Sequence, residues 1–99
     1  MWNPPTIKML ALIPRIGAQE DVKDPKVYMK FFLGGWTWYV TEFDGRDTFF
    51  GYVVSPMDSE WGYFSLNELK GISRGFLQVD RDMYEVTPRS PKKLSEVLR

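Results

Sequence analysis

From Val27 to Val54, apolar and polar side chains alternate with the period of two that a pleated strand imposes. Val27, Met29, Phe31 and Leu33 take one face of the first segment, and Tyr28, Lys30 and Phe32 take the other. Gly34-Gly35 then offers a tight turn. Trp36 to Phe43 returns, with Trp36, Trp38 and Val40 on one face and Thr37, Tyr39 and Thr41 on the other. Asp44-Gly45-Arg46-Asp47 marks a second turn. Thr48 to Val54 is apolar on both faces, which predicts a central strand. After a turn at Ser55 to Ser59, Trp61 to Phe64 predicts a short fourth strand. Phe76 to Val86 predicts a last one.

Elsewhere the spacing lengthens to that of a helix. Ser65-Leu66-Asn67-Glu68 has the form of a capping box. The helix it opens would bury Leu66, Leu69 and Ile72 and end at Gly71 or Gly75. At the start, Asn3 is positioned to cap a short helix with Pro4 and Pro5 in its first turn. Its apolar face would hold Ile7, Leu10 and Ala11, widened by Met9, Leu12 and Ile13, and Pro14 would stop it. Gly17 to Pro25 reads as a polar loop. Thr87 to Pro91 reads as a linker, and Lys92 to Arg99 as a final helical turn or two, with Ser90 as its cap and Pro91 at its first position.

These elements predict one α+β domain over residues 1–99, with an antiparallel sheet of four to five strands and short helices at both ends and after strand four. The pattern leaves open a strongly bent sheet or a partly closed barrel.

Composition narrows the chemistry. Sixteen per cent of the chain is aromatic, a large apolar mass for so short a polypeptide. It contains no Cys, so neither a disulfide nor a thiolate ligand or nucleophile is available. It contains no His, which removes the usual zinc sites and the Ser-His and Cys-His pairs of hydrolases. No cofactor is expected, no metal ligand set is assigned, and turnover is not expected. Thirteen basic and thirteen acidic residues cancel, so no long-range field draws the chain to nucleic acid or to a membrane. The balance is uneven: residues 86–99 carry four basic residues against one acidic, so the rest of the chain is net acidic. Met9 to Ile13 is too short an apolar run to span a membrane and lacks a cleavage site, which suits a cytoplasmic protein.

One sheet face and a few short helices do not bury this many rings. Tyr28, Phe32, Tyr39 and Tyr52 are the aromatics expected to stay exposed, while Trp36 and Trp38 serve either as core or as a stacking platform. With the Asp44 and Asp47 turn they would make an aromatic and acidic surface for a protein partner. An alternative is nucleic-acid binding through the sheet aromatics and a basic tail of Arg89, Lys92 and Lys93. Phe50-Gly51-Tyr52-Val53 partly fits an RNA-binding aromatic strand. A third reading gathers Glu42, Asp44, Asp80 and Asp82 into a carboxylate metal site for hydrolysis. Oligomeric state is not legible.

Four blocks also carry a resemblance. They are Lys23-Asp24-Pro25 with Val27 to Phe32, Trp36 to Asp44, Phe49 to Val53, and Glu60 to Leu69, followed by Arg81-Asp82-Met83-Tyr84. In order and wording the chain resembles the family called domain of unknown function 2958 over nearly its whole length. It departs at Glu85, where the family often has an aromatic residue. The resemblance implies no established activity and no catalytic residue. It implies an accessory protein of phages, plasmids or other mobile elements, acting on a host defence or DNA-handling complex.

Overall fold

The protein, in a computed structural model, is described over residues 1–98. In chain order its elements are α1 (Ile7–Leu10), β1 (Lys26–Val27), β2 (Met29–Leu33), β3 (Trp36–Phe43), β4 (Thr48–Val54), β5 (Ser59–Ser65), α2 (Leu66–Gly71), β6 (Ser73–Arg74), β7 (Leu77–Gln78), β8 (Asp80–Arg81), β9 (Lys92–Lys93) and α3 (Leu94–Val97). Five strands form one antiparallel sheet in the order β5-β4-β3-β2-β8. The meander from β2 to β5 follows the predicted turns, and the positive φ of Gly34 (57°) and Gly45 (87°) closes two of them. The sheet is open, with β5 and β8 at its edges, so the partly closed barrel is not formed. β1 pairs with β9, and β6 with β7, in two small separate ribbons.

Two bulges decide which side chains face which way. Tyr28 N–H donates to the Val40 carbonyl (2.8 Å), although Met29 is the residue paired with Val40. Two residues thus meet one, and the alternation changes phase. Val27 therefore packs with Tyr39, Val86 and Leu94, while Met29, Phe31 and Leu33 join a different cluster. The period-two pattern had placed Val27 on the face of Met29. The second bulge is Thr41, left between the pairs Val40–Gly51 and Glu42–Phe50. Its Oγ1 donates to the Phe50 carbonyl (3.0 Å). Beyond it Phe43 enters the core beside Phe49, and Glu42 turns to the opposite face.

Both faces of the sheet are covered, which explains why β4 is apolar on both. On the inner face Phe49 lies among Phe31, Phe43 and Phe64, with ring centroids 5.8, 5.0 and 5.6 Å away. Trp2 stacks on Phe31, and Ile13 and Leu69 close this core from the N-terminal segment and α2. On the outer face Val86, Leu94 and Val97 fold back over Tyr39, Tyr52 and Val54.

Predicted boundaries move at α1, the last strand and α3, and one predicted cap is incomplete. Helix α1 begins after Thr6, whose hydroxyl accepts from Met9 N–H; the Asn3 carbonyl instead receives the buried Arg81 Nε (3.1 Å). The capping box is half formed: Ser65 Oγ accepts from Glu68 N–H (2.9 Å), but the carbonyl and carboxylate of Asp47 take the N–H groups of Leu66 and Asn67. The predicted strand from Phe76 to Val86 is only β7 and β8. The Asp82 carboxylate ends it by accepting from the N–H groups of Tyr84, Glu85 and Val86. Ser90 caps nothing: its N–H donates to the Thr87 carbonyl, Lys92–Lys93 is extended, and α3 starts at Leu94. Arg99 of the predicted final turn lies outside the described residues.

Candidate binding site

The Thr41 bulge sets up the site. It points the Glu42 carboxylate at the loop before β1, where its two oxygens accept from Gly17 N–H and Gln19 N–H, each at 2.8 Å. Gln19 then bridges in the other direction. Its Nε2 donates to the carbonyls of Lys26 (2.8 Å) and Thr41 (2.9 Å), and its Oε1 accepts from Lys26 N–H (2.7 Å). Every polar atom of that side chain is engaged, so residues 16–25 are held as a fixed wall over the outer face. Gly17 has φ 93°, a conformation that costs other residues steric strain.

Opposite this wall stands a group of rings. Phe50 and Tyr52 on β4 pair in register with Tyr63 and Trp61 on β5. Phe50 stacks on Trp61 (5.7 Å, 11° between planes), Tyr63 tilts against Phe50 (4.9 Å), and Tyr52 tilts against Trp61 (5.2 Å). Trp61 is 43% exposed and Tyr63 66% exposed. The C-terminal segment covers Tyr39 and Tyr52 but leaves these two rings uncovered. Between wall and rings lies a cleft of about 440 Å³, with Phe50, Trp61 and Tyr63 on one side and Glu20, Val22 and Lys23 on the other. Such a cleft offers apolar contact, stacking and a polar rim.

The residues singled out from sequence fall elsewhere for the most part. Tyr39 is only 7% exposed, contrary to expectation, because residues 86–97 fold back onto it. That burial, with the nearby Glu85 carboxylate, raises its pKa above the ordinary tyrosine value. Tyr28 is half-buried against the inner core, Trp38 is buried, and Trp36 is exposed while stacked on Trp38 (5.8 Å). Phe32 is exposed on β2 beside β8. Tyr52 borders the cleft rings, and Glu42 and Phe50, noted in sequence for other chemistries, line the cleft itself.

Asp44 and Asp47 sit at the far end of β3 from Trp36 and serve the turn. Asp44 Oδ1 accepts from the N–H groups of Arg46, Asp47 and Thr48, and these bonds hold its pKa below the ordinary carboxylate value. The expected aromatic and acidic surface is thus split between separate places. Lys92 and Lys93 are tied into β9 against Val27 and Lys26, and Arg89 is exposed on the preceding turn. Glu42, Asp44, Asp80 and Asp82 each bind backbone N–H groups of their own surroundings. Among the described residues no three acidic side chains come together as a metal would require, so the hydrolase reading loses its geometry.

Sequence reasoning missed Trp61 and Tyr63, and noted Phe50 only within the partial RNA-binding pattern. A signal existed: two consecutive strands each place aromatics two residues apart, and pairing them across the Ser55 to Ser59 turn assembles the group. Nothing in the sequence flagged Gln19. Nor did anything mark the partnership of Gln19 with Glu42, which depends on a bulge.

No helix among the described residues is long and apolar enough to cross a membrane. No curated protein and no solved structure matches the chain. A family model does match, over residues 6–96. That span takes in the loop wall, the bulges and all four rings, so the chain belongs to the family described as protein of unknown function (DUF2958).

Proposed function

We propose that this chain is a binding protein without turnover of its own, and that it takes a partner protein at the Phe50, Trp61 and Tyr63 rings and the adjoining cleft. One observation carries the reading. Two large rings of an edge strand stay in water, stacked into a preformed arrangement beside a wall fixed by Gln19 and Glu42. Rings held in this way lose little entropy on binding, and exposed Trp and Tyr are the usual anchors of protein interfaces. Bases would also stack on such rings, but Glu20 lines the cleft, and neither Arg89 nor the lysines of β9 do. A protein partner therefore fits better than a phosphate backbone. The partner class to test first is a host defence or DNA-handling complex, the setting that the family resemblance implies.

The test is retention of host proteins on the immobilised chain, compared with Trp61→Ala and Tyr63→Ala. Phe76→Ala and Tyr84→Ala serve as controls, because both rings are exposed away from the cleft. Retention should fall with the first pair and persist with the second. Equal retention by all four variants, or no protein retained by the parent chain, refutes the reading.

A further inference from the structure

Strand β5 is an edge of the sheet, and its hydrogen-bonding phase can be worked out. Across the β4–β5 turn Ser55 N–H donates to the Asp58 carbonyl (2.8 Å), so Ser55 and Asp58 face each other as a bonded pair. In an antiparallel ladder bonded and non-bonded pairs alternate. Given the register, Val53–Glu60, Gly51–Gly62 and Phe49–Phe64 exchange backbone bonds, whereas Val54–Ser59, Tyr52–Trp61 and Phe50–Tyr63 do not. Ser59 N–H agrees with this phase, since it donates to the Asp58 carboxylate (2.8 Å) rather than to β4. The N–H and C=O groups of Trp61 and Tyr63 therefore point away from β4, toward the open edge.

That edge carries one charged side chain, Glu60, as its only deterrent among those usual on edge strands. Its seven residues pair with β4 in unbroken register and contain no Pro, no Lys and no bulge, the devices that usually deter strand addition. The charge around it is one-sided. Asp58 and Glu60 precede Trp61 along the chain, Glu60 on the other face of the sheet, and in the cleft Glu20 and the buried Glu42 stand against one cation, Lys23.

We infer that β5 accepts an extended segment of a partner protein as a sixth strand, and that this segment carries Arg or Lys at alternate positions. Backbone bonds would form with Trp61 and Tyr63. Side chains two residues apart on the added strand project to one face. There a guanidinium can lie over the Trp61 or Tyr63 ring and approach the Glu20 carboxylate. The inference rests on the reading of these rings as a binding surface and adds the mode and chemistry of the partner.

The test uses the full chain and a blocked seven-residue peptide alternating Arg and Val. Its Glu/Val counterpart and two N-methylated versions, one for each alternate set of amides, complete the set. Backbone hydrogen exchange is followed by NMR. In the free protein the amides of Trp61 and Tyr63 should exchange rapidly and those of Gly62 and Phe64 slowly. The Arg/Val peptide should slow Trp61 and Tyr63 about tenfold or more. One N-methylated version should lose that effect and the other keep it, and the Glu/Val peptide should not bind. Arg/Val binding that leaves both amides unprotected and ignores N-methylation overturns strand addition but leaves the ring platform standing. Failure of the Arg/Val peptide to bind, or equal binding of the Glu/Val peptide, overturns the inference. So does protection of the same amides by rising protein concentration alone, which would give the edge to a second copy of the chain.

Discussion

The Asp24 carboxylate holds Ser95 from both directions, accepting from its N–H at 3.0 Å and from its hydroxyl at 2.6 Å, across 71 residues of sequence. The bond joins the end of the cleft wall to the start of α3, the helix that brings Leu94 and Val97 over Tyr39. One acidic residue thus couples the binding face to the segment covering the rest of it.

The first prediction follows from that coupling. The Ser95 hydroxyl and then its N–H hold the Asp24 pKa below its ordinary value. A carboxyl whose folded pKa is depressed contributes stability that is complete above the unfolded value, about 3.9, and is lost as pH falls through the folded value. Below about pH 4 the C-terminal segment should loosen. Asp24→Asn should give the same loosening at pH 7 and flatten this part of the acid response. Thermal melts by circular dichroism from pH 7 to pH 2, with and without the substitution, check it.

Asp82 should act in the same window. Burial raises its pKa, but the N–H groups of Tyr84, Val86 and Glu85, with Lys30 nearby, outweigh that and leave it lowered. Asp82→Asn should weaken the turn that sends the chain to the outer face, and the loss should be smaller at pH 3 than at pH 7. Urea unfolding at both values measures the difference.

Tyr39 should titrate above the ordinary tyrosine value. Its pKa is raised by burial and then by Glu85. A raised folded pKa means stability that is present below the unfolded value, about 10, and lost as pH rises toward the folded value. Absorbance at phenolate wavelengths, compared with Tyr39→Phe, should show the Tyr39 phenolate forming above the ordinary value, and removing residues 87–99 should abolish that delay.

Gly51 and Gly62 face each other in the β4–β5 ladder but should respond differently. A Cβ at Gly51 would overlap the Tyr39 carbonyl oxygen, a backbone atom that does not yield, whereas a Cβ at Gly62 meets nothing within 4 Å. Gly51→Ala should fail to give a cooperatively folded protein. Gly62→Ala should change stability by no more than about 1 kcal/mol, toward stabilisation. Urea titration of both variants distinguishes them.

Stability and binding should separate at the aromatics. Phe49 is fully buried among three other rings, so Phe49→Ala should cost about 3–5 kcal/mol. Tyr63→Ala removes a mostly exposed ring and should stay within about 1 kcal/mol while reducing partner retention. Glu42→Ala lies between, because it leaves the Gly17 and Gln19 N–H groups without their acceptor, at about 1–3 kcal/mol. Its further effect should be a looser cleft wall.

Local pattern alone determined much of this protein. The turns at Gly34-Gly35 and Asp44 to Asp47, the interior and doubly covered place of β4, the Ser65 cap and the inward Leu69 all follow from spacing and side-chain chemistry that neighbouring residues decide, although the central strand is β3. What only tertiary structure decided is phase and cover. Bulges at Tyr28 and Thr41 move Val27 to the outer face, Phe43 inward and Glu42 to the cleft, and a period-two reading carries no mark of an inserted residue. Tyr39 and Trp61 are both aromatic strand residues, yet one is sealed and the other left in water. The difference arises because residues 86–97 return to one part of the sheet and not to the other, a long-range contact that side-chain periodicity does not encode.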